Sequence, residues 1–361
     1  MKRNLLRGYL EDPLLSSLMT GIRNAGPIRS SMVDLTHRHN LQCLGCYHYP
    51  DQRDHQKCIS NEMLDEFIQR EAGRKTNMLI ITGGEPAYEI DRLRRLAKHF
   101  KLMIVTNGAS PIPIDGLEQA RIAISFRGNE YQHLKLFGHN KKAQFERVLM
   151  NYRNDTRTGF YYTFNPTLLN NIERDTHRII KNGNYIAFNV HAGLSKLGSS
   201  YSHENSLSDT CQAINQLIAR YPAKIISSPY IHEILTKRRM LGTPWGYKVC
   251  PSNRDGQSSS ANSKAKRSPS SFEFRAYNAD LRSTKQCNSD ITEDCDTCAD
   301  LWSISSWIAG AMREHLSSHH DFFNWLCSTY IVYLQTGFID WNTGSSLLPA
   351  LYQKMGISYA L

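Results

Sequence analysis

The residues able to do chemistry are concentrated in two short stretches of this 361-residue chain. The first, Asp34 to Tyr49, reads DLTHRHNLQCLGCYHY and packs His39, Cys43 and Cys46 close together. The second, Ile81 to Pro86, reads ITGGEP. Each follows an apolar run. Two residues separate Cys43 from Cys46, a spacing that brings two thiolates from one tight loop onto a single metal or cluster. Late in the chain Cys250, Cys287, Cys295 and Cys298 form a second set with one such pair. Four thiolates suit a structural zinc or an auxiliary [4Fe–4S] cluster, and simple burial of some of them is the competing reading. The cysteines number nine, an odd count without an export signal, which favours metal chemistry over a disulfide framework. Cys211, in an amphipathic stretch, and Cys327, among apolar residues, read as packing. His319-His320-Asp321 reads as a solvated helix end rather than a metal site.

The elements that must hold these stretches alternate. Strands are expected at Ser31 to Thr36, Met78 to Ile81, Leu102 to Val105, Arg121 to Phe126, Gly159 to Phe164 and Tyr185 to Val190, with Lys224 to Ile226 as a last short one. Between them fall helical patterns at Asn61 to Glu71 (Met63, Phe67 and Ile68 on one face, Ser60 as N-cap), 88–99, Gln144 to Arg153, Ile172 to Lys181 and Ser208 to Arg220. Such alternation makes a parallel sheet with crossover helices outside it. Ligands of such sheets sit at the C-terminal strand ends, so the Cys loop, TGGEP, Thr106-Asn107-Gly108 and Ser125 converge on one rim. Of Tyr161 and Tyr162, one points inward and one outward. Residues 1–30 read as a helical extension broken at Gly26-Pro27. Beyond about 230 the pattern changes: GTPWG, a Ser/Asn/Lys/Arg-rich stretch from Ser252 to Ser271 expected to be a mobile loop, and an aromatic helical region from Leu301 to Gly337.

Forty-three Lys and Arg against 33 Asp and Glu give a net charge of +10, which favours anionic partners, although a diffuse excess also serves solubility. Lys264, Lys266 and Arg267 offer a nucleic-acid contact at most, and no stable nucleic-acid binding is expected. No signal peptide is read at the N-terminus. The longest apolar run, Trp325 to Leu334, is about half of the ~20 residues a transmembrane helix needs. A cytoplasmic protein without a transmembrane segment is expected.

The segment T-x-x-H-N-L-x-C-x-x-C-Y around His39, Cys43 and Cys46 resembles the cluster loop of the radical S-adenosylmethionine superfamily, whose pattern is C-x3-C-x2-C. Here His39 stands where the first cysteine belongs. TGGEP resembles the superfamily's second signature, and the resemblance covers roughly residues 31–228. It implies a partial (βα)6 TIM-type barrel of α/β class, with a C-terminal cysteine-bearing segment over 229–300 and C-terminal helices over 301–361. It implies a [4Fe–4S] cluster on His39, Cys43 and Cys46, and S-adenosylmethionine at Gly83, Gly84, Glu85, Thr106, Asn107 and Ser125. Gly83 and Gly84 would let the backbone approach the methionine end of that cofactor. The TPWG and Cys-Pro stretch with its later C-x-x-C is somewhat similar to the hopanoid adenosyl-transfer branch.

The implied reaction is reductive cleavage of S-adenosylmethionine to a 5′-deoxyadenosyl radical. That radical acts on a small-molecule or peptide substrate, and an external donor supplies the electron. A neutral imidazole in place of a thiolate raises a cluster's potential, which works against this chemistry. Three readings therefore stand: His39 as a true ligand, another group such as Cys58 as the third ligand, or a catalytically degenerate binding module. A zinc site from His39, Cys43, Cys46 and His48 fits the last two.

Overall fold

The computed structural model describes residues 2–41, 59–128, 144–164, 171–190, 204–237, 274–285 and 301–357. Strands β1 (Ser30–Asp34), β2 (Met78–Thr82), β3 (Lys101–Thr106), β4 (Arg121–Phe126), β5 (Thr158–Phe164) and β6 (Tyr185–Val190) lie side by side in sequence order and all run parallel. Their apolar runs are nearly unbroken because both faces are covered. On the outer face, Val33, Leu79, Ile81, Leu102, Ile104, Ile122 and Phe160 share one core with the crossover helices. Those helices are α3 (Asn61–Gly73), α4 (Ile90–Ala97), α5 (Gln144–Asn151), α6 (Ile172–Lys181) and α7 (Glu204–Arg220). On the inner face, Met32, Met78, Ile80, Met103, Ala123, Tyr161 and Ala187 form a separate cluster without any helix residue. Tyr161 thus faces in and Tyr162 out, as strand alternation requires.

The strands at Arg121–Phe126 and Tyr185–Val190 and the helix Ile172–Lys181 fall where the pattern put them, and Ser60 caps α3 by accepting from the Met63 N–H. Lys224 to Ile226 does not become a strand. It makes a single bridge, Ile186 to Ile225, after which the Phe188 N–H bonds to the Ser227 hydroxyl at 2.8 Å rather than to a backbone carbonyl. Helix α8 (Pro229–Lys237) starts at once, with Pro229 in the first turn, where its missing N–H does no harm.

The sheet also continues past β1. Strand β7 (Ala276–Tyr277) pairs parallel with β1, and β8 (Thr284–Lys285) pairs antiparallel with β7. Part of the C-terminal cysteine-bearing segment over 229–300 is therefore built into the core sheet. What seats β7 is Glu71, whose side chain is fully buried. It accepts from the Tyr277 hydroxyl at 2.6 Å, Ser31 at 2.7 Å, Thr76 at 2.8 Å and Arg74 at 2.7 Å. Burial alone would raise its pKa, but these bonds from Tyr277, Ser31, Arg74 and Thr76 outweigh it and leave the carboxyl below its ordinary 4.5. The stability it contributes is present above that pH and fades as acid carries Glu71 through its folded pKa. Glu71→Gln is accordingly expected to lose about 2 kcal/mol at pH 7. In urea melts across pH, the deficit should narrow as pH falls below 4.5 and through the lowered folded pKa.

The N-terminal extension is two helices, α1 (Lys2–Tyr9) and α2 (Pro13–Ala25). Asp12 caps α2 by accepting from Leu14 N–H at 2.9 Å, and Gly26 ends it. The aromatic C-terminal region forms α9 (Leu301–Gly310), α10 (His319–Gln335), α11 (Trp341–Gly344) and α12 (Leu348–Lys354). Helix α10 packs against α2, α8 and α9, and the Tyr333 hydroxyl donates to the Gly26 carbonyl at 2.8 Å. The apolar stretch Trp325 to Leu334 lies inside α10 and is buried there. No helix among the described residues is long and apolar enough to cross a membrane.

After α10 the chain turns under the N-terminal strand ends. Trp341, 1% exposed, occupies the space where a side chain at Gly159 would be; a Cβ there would lie 2.2 Å from its ring. The Arg121 guanidinium stacks 3.4 Å from the Trp341 ring centroid, and the Tyr185 ring lies 4.7 Å away. Burial here pushes the Arg121 pKa down to about 10 and, with the neighbouring Arg121 charge, lowers that of Lys101.

Candidate functional site

The open rim is assembled where the chain leaves β1. Residues 35–38 run alongside the turn after β2. The Leu35 N–H donates to Thr82 O at 2.9 Å, Gly84 N–H to Thr36 O at 2.7 Å and Glu85 N–H to Arg38 O at 2.7 Å. So close an approach leaves no room for side chains on the turn. A Cβ on Gly84 would lie 2.0 Å from Arg38 O, and one on Gly83 2.6 Å from Thr36 O. Gly83 also has φ +109°, where side-chain-bearing residues are strained. The glycines are expected to admit a cofactor, and the structure shows that the chain itself, the segment carrying His39, also approaches them closely.

Glu85 is 1% exposed and points back into the rim rather than outward. It accepts from Thr106 Oγ1 at 2.6 Å, Asn107 N–H at 3.0 Å and Ala87 N–H at 3.0 Å. Burial raises its pKa, and the bonds from Thr106, Asn107 and Ala87 offset only part of the rise. Thr106, 2% exposed, also accepts from the Gly108 N–H at 3.0 Å. Glu85 and Thr106 therefore fasten the ends of β2 and β3 together. Asn107 is the outward member: its Nδ2 donates to Asn40 Oδ1 at 2.8 Å, which ties β3 to the residue beside His39. Asn40 is the N of the H-N-L run that begins at His39, and this bond is not legible from that run. The residue between strand end and Gly108, able to bond sideways, was the available signal.

His39 is exposed on that loop. Its pKa is lowered by surrounding chain and by His37 nearby, against a smaller upward pull from Asp34. The imidazole is therefore neutral at pH 7, the form able to coordinate a metal. Asp34, fully buried, accepts from the Thr82 hydroxyl at 2.8 Å. Arg38 stacks over the Tyr88 ring at 4.9 Å and lies 3.8 Å from Glu89, which also pairs with Arg92 at 3.1 Å. Thr36 Oγ1 donates to Glu89 at 3.1 Å.

Ser125 is half-buried near the end of β4, opposite Tyr161 of β5 and on the inner face with Ala123. Gly83, Gly84, Glu85, Thr106, Asn107 and His39 thus meet at the ends of β1 to β3, with Ser125 further round the rim. Cys43, Cys46, His48, Cys58, Cys250, Cys287, Cys295 and Cys298 lie outside the described residues, as do the stretch 252–271 and its Lys264, Lys266 and Arg267. Among the described residues, no group of three or more His, Cys, Asp or Glu is placed to hold a metal. Cys211 and Cys327 are free and buried, and burial pushes the Cys211 thiol up to about 11. Asp321 serves as a helix-start residue, bonded by Ser317 and Ser318.

A parallel half-barrel whose first strand leads into a Cys/His loop, sewn to a Gly-Gly-Glu turn, defines the class. The family description "4Fe-4S single cluster domain" matches residues 31–109. Similar solved structures include Streptococcus suis SuiB bound to its precursor peptide SuiA, at 10% identity and TM-score 0.53, covering 80% of this chain and 67% of SuiB. Native anSMEcpe with bound AdoMet (S-adenosylmethionine) is similar at 13% identity and TM-score 0.52, covering 77% of this chain and 80% of that one. With AdoMet and the Cp18Cys peptide bound, anSMEcpe matches at 14% identity and TM-score 0.50, covering 78% and 80%. The chain spans 62% of the length of SuiB in its S-adenosylmethionine complex. A search of curated proteins gave no significant match. The cluster-domain match over residues 31–109 agrees with the resemblance carried by the loop and turn, and the fold is similar to those of SuiB and anSMEcpe.

Proposed function

We propose that the chain holds a [4Fe–4S] cluster through His39, Cys43 and Cys46, binds AdoMet along Gly83, Gly84, Glu85, Thr106, Asn107 and Ser125, and uses the pair to start radical chemistry on a further substrate. The observation that carries this reading is the stitching of the His39 segment to the Gly-Gly-Glu turn and to Asn107, inside the span that matches the cluster-domain family. The donor set fits: two thiols and a neutral imidazole are all iron–sulfur ligands. When bound, such a cluster supplies one electron to the AdoMet sulfonium and so releases a 5′-deoxyadenosyl radical.

The chain's own part is positional. Gly83 and Gly84 let residues 35–38 lie against the turn, which fixes where the cluster loop departs. Glu85 holds Thr106 and the Asn107 backbone, and Asn107 in turn holds Asn40, so β2, β3 and the segment up to Asn40 are tied together. His39 supplies nitrogen in place of an anionic sulfur, which raises the potential of whatever cluster it ligates and demands a strong external electron donor. The substrate is a small molecule or a peptide; SuiB and anSMEcpe were each solved with a peptide bound. Cys250, Cys287, Cys295 and Cys298 are the ligands for an auxiliary cluster or zinc. Oxygen-sensitive chemistry of this kind belongs in the reducing cytoplasm.

The ligand set is tested with His39→Ala and His39→Cys, reconstituted anaerobically with iron and sulfide. Alanine should lose most of the bound iron, while cysteine should keep it and lower the potential measured by redox titration. Equal iron in wild type and His39→Ala would remove the histidine from the ligand set and point to Cys58.

A further inference from the structure

A second site opens inside the barrel, well round from the Gly-Gly-Glu turn. A pocket of about 380 Å³ of empty space, part of it open to solvent, lies between the inner face of β5 and β6 and helices α8, α9 and α10. Its polar lining includes Tyr161, Asn189, Ser228, His232, Ser305 and Gln335, and no Asp, Glu, Lys or Arg among the described residues lines it. In a chain of net charge +10 this is a local exception.

The hydrogen-bonding capacity left open there has a direction. The Tyr161 hydroxyl is used on the Gln335 carbonyl at 2.8 Å, and the Ser228 hydroxyl on Ser328 at 2.7 Å. Gln335 donates its Nε2 to the Ile226 carbonyl at 2.7 Å, which leaves Oε1, an acceptor. His232 is 2% exposed, and burial pushes its pKa down to about 4, so the ring is neutral. Its Nδ1 faces Asn215 Oδ1 at 3.5 Å, and that oxygen can only accept. Nδ1 therefore carries the proton, and Nε2 is a bare acceptor without a partner among the described residues. The Ser305 hydroxyl, 6% exposed, has none there either. An anion would find no cationic partner on these walls. A cation would be desolvated without a carboxylate to pair it.

We propose that this pocket binds an uncharged N–H-donating group of the substrate, a carboxamide or a nucleobase amine, with His232 Nε2 and Gln335 Oε1 as acceptors and Ser305 beside them. The assignment to the substrate rests on the radical S-adenosylmethionine reading above, whereas the binding chemistry does not. The excess of basic residues would by itself have suggested an anionic substrate, and the pocket chemistry favours a neutral group. The adenine of AdoMet shares this donor chemistry and is separated by the test.

Saturation-transfer NMR titrations of the full chain with acetamide, sodium acetate and methylammonium chloride require neither cluster nor turnover. Acetamide should bind and the two ions should not. His232→Leu should weaken acetamide by about fivefold, the worth of one net hydrogen bond. Ser305→Ala, a smaller change, should weaken it in the same direction if His232→Leu does not fold. AdoMet affinity should be the same in wild type and variants. Acetate binding as well as acetamide, or unchanged acetamide binding in a folded variant, would overturn the pocket chemistry. A parallel loss of AdoMet affinity would transfer the pocket from substrate to nucleobase. Failure of AdoMet cleavage would leave these titrations intact, so the two readings fail separately.

Discussion

Gly84→Ala is expected to lose about 3 kcal/mol of stability and most of the iron that reconstituted wild type retains, read by urea melts and by iron per chain. The reason is local. The new Cβ would sit 2.0 Å from the Arg38 carbonyl oxygen and 2.7 Å from its carbon, and both are backbone. No rotamer change relieves such a contact, and Arg38 O is already engaged by the Glu85 N–H. One of two strands of chain must yield. The turn is held from within by Glu85 on Thr106 and Asn107. The other strand of chain is 36–38, which leads straight to His39. Displacing it removes the Gly84–Thr36 and Glu85–Arg38 bonds together and carries the histidine away from Asn107. Iron should therefore fall further than stability alone accounts for. A Gly84→Ala protein that kept its full iron content would show that the stitched segment does not set the loop's position.

The second large effect lies at the opposite end of the barrel. Trp341→Ala should lose about 4 kcal/mol, within the usual range for removing a buried tryptophan. Gly159→Ala should lose about 2–3 kcal/mol because its methyl would fall 2.2 Å from that ring. Together they should lose clearly less than the sum, with a coupling of about 2 kcal/mol, since the alanine methyl then enters space the tryptophan has left. Strictly additive losses would mean that the ring and Gly159 do not meet. The stack of Arg121 on the Trp341 ring makes a second readout available. Because the plug is remote from the rim, Trp341→Ala that remains folded should bind iron as wild type does, the reverse of the Gly84→Ala pattern.

Much of this molecule was legible in the amino-acid sequence because its strands are short apolar runs ended by Gly, Asn or Ser. Its helices carry regular stripes such as Ile90, Leu93 and Leu96. The rim residues were found the same way, each sitting just after a run. What could not be read came from contacts distant in sequence. Two-residue strands such as Ala276–Tyr277 carry no periodicity, and β7 takes its place through Glu71, far back in α3. Helix α8 follows Ser-Ser-Pro, where the Ser227 hydroxyl accepts from the Phe188 N–H of β6 and the Ser228 hydroxyl from the Ile231 N–H. The roles of the rim residues were only half legible. Glycine in TGGEP signalled close approach, but not that residues 36–38 were what approached. The glutamate of the same motif is expected at the cofactor, and its bond to Thr106, which ties β2 to β3, was not legible in the sequence. A net charge of +10 carries no information about a pocket lined by serine, histidine and amide groups.

The claim on which the rest depends is that a cluster loop headed by His39 supports cleavage of AdoMet. The direct measurement is anaerobic reconstitution of the full chain with iron and sulfide, followed by reduction with dithionite in the presence of AdoMet and chromatographic quantification of 5′-deoxyadenosine. Product is predicted to form with reconstituted wild type and to be lost with His39→Ala. A protein that displays an intact, reducible [4Fe–4S] spectrum and binds AdoMet, yet releases no 5′-deoxyadenosine under strong reductant, would contradict the account.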